Sequence, residues 1–187
     1  MSAPSSRADP RGLAFVALMT AVLALCAWIT IPLGPVPFTM QNFGIFAALG
    51  LLGGRRGSLT VAVYLLLGLV GLPVFSGFGA GPGALLGPTG GFLLGFLASA
   101  LVYWAVTARW GTAVPVMALA MALGLAACYA LGTVWFLAVY AGGNGTTLAA
   151  ALALCVLPYV VPDLIKIGLA LVLVRRVGPH LPAHLQP

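Results

Sequence analysis

Apolar residues fall into six long runs, roughly 12–33, 39–53, 57–72, 90–108, 114–140 and 148–174. A helix that spans a bilayer core needs about 20 predominantly apolar residues. The runs are of that order, the second being short for a full crossing. The pattern predicts an all-α integral membrane protein of six transmembrane helices. Residues 1–11 are left as an N-terminal tail, 12–176 form one transmembrane domain, and 177–187 make a C-terminal tail. The first run follows Arg7 and Arg11, as a signal peptide would. It is far longer than the about 7–15 apolar residues of a signal core, so it reads as an uncleaved helix.

Composition agrees with the pattern. Of 187 residues, 62% are hydrophobic, and only 8 Lys or Arg and 2 Asp or Glu carry charge. A soluble domain carries about 25% charged residues, so a water-facing globule is excluded, and disorder with it. The 25 glycines follow no triplet period, which excludes collagen. The net charge of +6 is not a nucleic-acid patch, because the arginines stand singly or in pairs at the ends of apolar runs. Threaded six times through a membrane, Arg7, Arg11, Arg55, Arg56, Arg109, Arg175 and Arg176 fall on one side. The first, third and fifth connections hold no charge at all. The positive-inside rule then places both termini in the cytoplasm.

The uncharged connections differ in kind from the basic ones. The first, Ile31 to Asn42, holds three prolines and favours an extended path. The third, Gly71 to Gly91, strings eight glycines among Phe75, Phe78, Leu85 and Leu86. Long loops of this kind are either functional or disordered, and these apolar side chains predict packing onto the outer mouth of the bundle.

Two charges are unexplained by topology. Asp9 belongs to the tail, so Asp163 is the one acid of the membrane domain, and Lys166 is the one lysine of the chain. A charge at the centre of a bilayer helix costs at least about 2.5–3.5 kcal/mol. The i,i+3 spacing puts both on one face, and Tyr159 extends the stripe one turn earlier. Pro158 and Pro162 are expected to kink the helix and free carbonyls. Such a stripe points into a cavity rather than to lipid. An ion pair that only locks helices together is the plain alternative, but buried pairs add little net stability. Thr39, Gln41, Asn42, Thr89 and Asn144 are candidate helpers from the outer loops, Gln41 and Asn42 foremost.

Other chemistry has little to work with. The only lysine is followed by Ile167, so there is no phosphate-binding loop for ATP. His180 and His184 flank Pro182 in a proline-rich tail, which argues against a metal site. Cys26, Cys128 and Cys155 lie in apolar runs and read as small buried hydrophobes. Neither cofactor nor enzymatic activity is expected. Ala17-x-x-x-Ala21, Gly91-x-x-x-Gly95 and the row Ala118, Ala122, Ala126 permit close helix contacts.

Three motifs, in order, cover almost the whole chain: Gly34-Pro-Val-Pro-Phe-Thr-Met-Gln41, Gly87-Pro-Thr-Gly-Gly-Phe92 with Gly95, and Pro162-Asp163-x-x-Lys166. Together they resemble the BioY family, the biotin-specific S components of energy-coupling-factor (ECF) transporters. The resemblance implies a multi-pass protein of the bacterial cell (inner) membrane that captures biotin at the outer face. It places Asp163 and Lys166 at the ligand, with Gln41, Thr39, Thr89, Gly90 and Gly91 near by. Phe38, Phe75 and Tyr159 would line the apolar part. It further implies a membrane coupling (T) protein and two cytoplasmic ATPases as partners, with Ala17 and Ala21 contacting the coupling protein. Which end of biotin meets Lys166 stays open at this point. A stand-alone carrier using Asp163 as proton carrier, or a scaffold with a structural ion pair, are the competing readings.

Overall fold

The computed structural model describes residues 10–140 and 146–182. Asn144, His184, Arg7 and Asp9 lie outside them. Among the described residues seven α-helices follow one another: α1 Pro10–Trp28, α2 Gln41–Leu69, α3 Pro82–Leu86, α4 Gly90–Trp110, α5 Val114–Trp135, α6 Leu148–Cys155 and α7 Leu157–Val177. A wider turn, Phe136–Tyr140, extends α5. Among the described residues four helices are long and apolar enough to cross a membrane: Pro10–Trp28, Gly90–Trp110, Val114–Val139 and Leu157–His180. Their outward faces carry exposed Leu18, Leu101, Val134, Val161 and Ile165, the surface that lipid rather than water accepts.

Two boundaries differ from expectation. The second and third apolar runs belong to one element, α2, interrupted only at Gly53 (φ 75°, ψ 172°). A β-carbon disfavours that conformation, whereas glycine enters it freely. The change of direction therefore needs one residue, and Arg55 and Arg56 stand in helix rather than in a loop. The sixth run is two helices, divided at Val156 (φ −125°, ψ −58°). Pro158 falls in the first turn of α7, where a missing N–H costs nothing. Of the two prolines expected to kink the helix, only Pro162 lies in its interior.

Small residues set the packing of α4 on α5. A Cβ on Gly91 would meet Trp135, and one on Gly95 would stand 2.9 Å from the Cys128 backbone. On the α5 side the close contacts are made at Gly124 against Ser99 and at Gly132 against Phe92. The expected pair Gly91 and Gly95 forms that seam; in the row Ala118, Ala122, Ala126, Ala122 packs partly buried against the core and Ala126 is exposed.

The connections at one end of the bundle fold inward. Thr30–Ile31 and Phe38–Thr39 pair antiparallel, Thr30 opposite Thr39 and Ile31 opposite Phe38, closing the proline-rich first loop into a short ribbon. The glycine-rich loop packs inward through Phe75, with Leu85 half-buried, whereas Phe78 and Leu86, expected to pack with them, are exposed. Phe75 is 2% exposed and meets Tyr64 edge-on at 5.5 Å. Its ring occupies the space that a side chain at Gly68 would need. Trp28 Nε1 donates to the Pro73 carbonyl (2.9 Å) and Trp135 Nε1 to the Gly87 carbonyl (3.0 Å). The far end carries the arginines: Arg11 starts α1, Arg55 and Arg56 follow the break in α2, Arg109 ends α4, and Arg175 and Arg176 end α7.

Candidate functional site

Four elements converge at the loop end of the bundle: the ribbon with the start of α2, the glycine-rich loop with the start of α4, the second half of α5, and the first half of α7. They enclose a cavity of about 710 Å³, its open mouth included. A wider cleft, about 2050 Å³, opens at the arginine end between α1, α2 and α4 and is lined by Arg55, Arg56 and Trp104.

Asp163 and Lys166 are the charged residues of the first cavity's wall. Both project from the same face of α7 and are 2% and 3% exposed. Their ion pair is short, Lys166 Nζ to Asp163 Oδ1 2.6 Å. Burial at that depth demands further partners, and each charge has them. Asp163 Oδ2 accepts from Asn42 Nδ2 and from the Tyr129 hydroxyl, both at 2.7 Å. Lys166 Nζ donates to the Thr39 carbonyl at 2.7 Å and lies 3.9 Å from the centre of the Phe38 ring, a cation–π contact. The cluster is neutral as a whole and internally satisfied.

The first loop is fastened to this cluster at several points. Besides the bond from Lys166 to Thr39, the Tyr159 hydroxyl donates to the Val36 carbonyl. Gln41 ties the first loop to the third: its Oε1 accepts from the Thr39 hydroxyl (2.9 Å), and its Nε2 donates to the Tyr64 hydroxyl (2.7 Å). That hydroxyl in turn donates to the Val74 carbonyl (2.9 Å). The apolar part of the wall comes from Phe75, Phe92, Leu93, Phe96 and the two cysteines Cys128 and Cys155.

Of the residues singled out in the sequence, Asp163, Lys166, Tyr159, Gln41, Thr39, Asn42, Phe75 and Thr89 all line this one cavity. Phe38 stands behind Lys166 rather than on the wall. Gly90 and Gly91 open α4 next to Thr89, where their missing side chains admit the Leu85 carbonyl and Trp135. Ala17 and Ala21 are far from the cavity, both exposed on the outer face of α1. Sequence reasoning missed Tyr129. Its signal was available: it is the one tyrosine of α5, an otherwise almost wholly apolar helix, and buried hydroxyls need partners.

Known proteins resemble the chain along nearly its full length. The model of the BioY family matches residues 2–183. The biotin transporter BioY of Thermotoga maritima is 41% identical over 159 residues, 85% of this chain and 90% of the relative. The biotin transporter BioY of Rhodobacter capsulatus is 34% identical over 189 aligned positions, covering 94% and 97%. The crystal structure of the S-component for biotin from an ECF-type ABC transporter superposes with a TM-score of 0.85 at 28% identity, covering 98% of this chain and 99% of that one.

Proposed function

The chain belongs to the BioY family, and we propose that it serves biotin uptake as the substrate-binding S subunit of an ECF-type transporter. It is a transport protein, not an enzyme, and biotin is cargo rather than cofactor. The observation that carries this reading is the neutral Asp163–Lys166 cluster buried in the wall of an otherwise largely apolar cavity. Biotin asks for that combination. Its ureido ring offers N–H donors and a carbonyl acceptor, while its thiophane ring and methylene chain need apolar cover.

In this reading Asp163, Lys166 and Gln41 hold the ureido end. Tyr159 and Thr39 anchor the first loop over it, and Phe38 backs the ammonium. Phe75 covers the thiophane ring, while Thr89, Gly90 and Gly91 shape the wall at the start of α4. Asn42 and Tyr129 keep the carboxylate of Asp163 in place. A scaffold would share the ion pair but needs no cavity beside it.

The remaining assignments follow from chain direction. Residues 12–176 form the membrane domain between two short tails. Counting α2 as two crossings joined at Gly53, and α6 with α7 as one, gives six spans. The arginine end then faces the cytoplasm with both termini, in the bacterial inner membrane, and the cavity opens outward. Ala17 and Ala21, exposed on α1, suit close approach by a helix of the coupling protein. That protein and two cytoplasmic ATPases supply the energy.

Equilibrium binding of radiolabelled biotin to the detergent-purified chain is the direct test. One mole of biotin per mole of protein is expected. Absence of saturable binding by folded protein refutes the reading.

A further inference from the structure

The eight cationic side chains of this sequence can be followed one by one. Arg55 and Arg56 line the wide cleft at the opposite end. Arg11, Arg109, Arg175 and Arg176 mark helix ends on that same side, and Arg7 precedes α1. Lys166 alone is on the cavity wall. Its ammonium is committed to Asp163 Oδ1, the Thr39 carbonyl and the Phe38 ring. The polar wall away from the cluster is Ser76, Gly79 and Thr89, hydroxyls and backbone without charge. Residues 141–145 read Ala-Gly-Gly-Asn-Gly and bring no cation.

An anion entering this cavity therefore finds no counter-ion of its own. Set against Lys166, it would also face the carboxylate of Asp163, 2.6 Å from the same ammonium. Buried anions need a paired cation or several converging donors, and like charges at contact distance repel. A neutral ureido group suits the cluster, giving N–H to Asp163 and receiving from Lys166 or an amide. The valerate carboxylate keeps its hydration at the mouth.

We infer that the site reads the ureido ring and is indifferent to charge at the end of the ligand's tail. Amide and ester derivatives of biotin are then ligands of this chain alongside biotin. The class includes amino-acid amide conjugates, the products that proteolysis of biotinylated protein would supply. This inference rests on the cavity being the biotin site.

Competition against radiolabelled biotin on the purified full chain tests it, with three competitors: biotin, biotinamide, and the diamine formed when the ureido ring is opened with the tail intact. Biotinamide is expected to bind within about tenfold of biotin, and the diamine more than about a hundredfold more weakly. Biotinamide falling more than about tenfold behind biotin would show that the carboxylate is read, and overturns the inference. A diamine that competes as well as biotin overturns it too, by putting the recognised end elsewhere. Biotin itself failing to bind is a separate result, which removes the reading of the cavity on which the inference stands.

Discussion

Charge removal at Asp163 and Lys166 separates what the pair does for folding from what it does for the ligand. Replacing Asp163 by Leu leaves the Lys166 ammonium, 3% exposed, with only the Thr39 carbonyl and the Phe38 ring. Replacing Lys166 by Met leaves a carboxylate with two donors and no counter-ion. At 2.6 Å and an effective dielectric near 20, the direct attraction is about 6 kcal/mol. Desolvation opposes it, so breaking one side of such a pair costs a net of about 3–5 kcal/mol. Each single variant should therefore lose about that much in a detergent-unfolding titration. The double variant Asp163→Leu/Lys166→Met strands no charge and should recover to within about 1–2 kcal/mol of the parent, since buried pairs are often replaced by apolar residues at little cost. It should bind no biotin. Coupled unfolding and biotin-binding measurements on the four proteins read both axes of this cycle. Single variants that cost less than about 1 kcal/mol would refute the energetic account. A double variant that still binds biotin would refute the placement of the ligand.

Three further outcomes are expected. Tyr129→Phe removes one of two donors to Asp163 Oδ2; a hydrogen bond to a charge is worth about 1.5–3 kcal/mol, so titration calorimetry should show biotin affinity reduced about 10- to 100-fold, and an unchanged affinity would show that Asn42 alone orients the carboxylate. Gly68→Ala puts a methyl into the space of the Phe75 ring; overpacking costs about 1–3 kcal/mol, and a lower unfolding midpoint with weakened biotin binding should follow, whereas stability loss with full affinity would mean Phe75 does not cover the ligand. Ala17→Leu/Ala21→Leu alters only the exposed face of α1, so biotin binding should persist while co-purification with the coupling protein is lost; retained co-purification would move that contact to another face.

Much of the site was legible because polar residues are so scarce. In a helix of apolar neighbours Asp163 and Lys166 stand out, and their i,i+3 spacing already states that they share a face. Thr39, Gln41 and Phe75 were found through the loops that hold them, since proline and glycine mark those loops plainly. What hydropathy could not show was where backbone direction changes inside an apolar run. The stretch from Leu148 to Leu157 has no polar face to lose, so nothing in its pattern reveals the break at Val156. Gly53-Gly54-Arg55-Arg56 looks like a loop by composition, yet a single glycine dihedral accomplishes the turn. Tyr129 escaped notice because its partner, Asp163, is 34 residues away in sequence and only the packing of α5 beside α7 joins them. Of Ala118, Ala122 and Ala126, Ala122 packs against the core while Ala126 is exposed, because small residues at helical spacing also occur on faces that meet lipid.

The bonds that fasten the first loop to α7 have a consequence for release. Lys166 holds the Thr39 carbonyl, Tyr159 holds the Val36 carbonyl, and Asn42 and Tyr129 hold Asp163. With biotin placed as proposed, it enters by exchange, displacing some of these partners, and when it departs the same partners return to the charges they left. Tight capture and complete discharge make opposing demands on one set of side chains. On the proposed placement of biotin, the protein supplies its own substitute for the cargo, so neither charge is left bare when the ligand leaves.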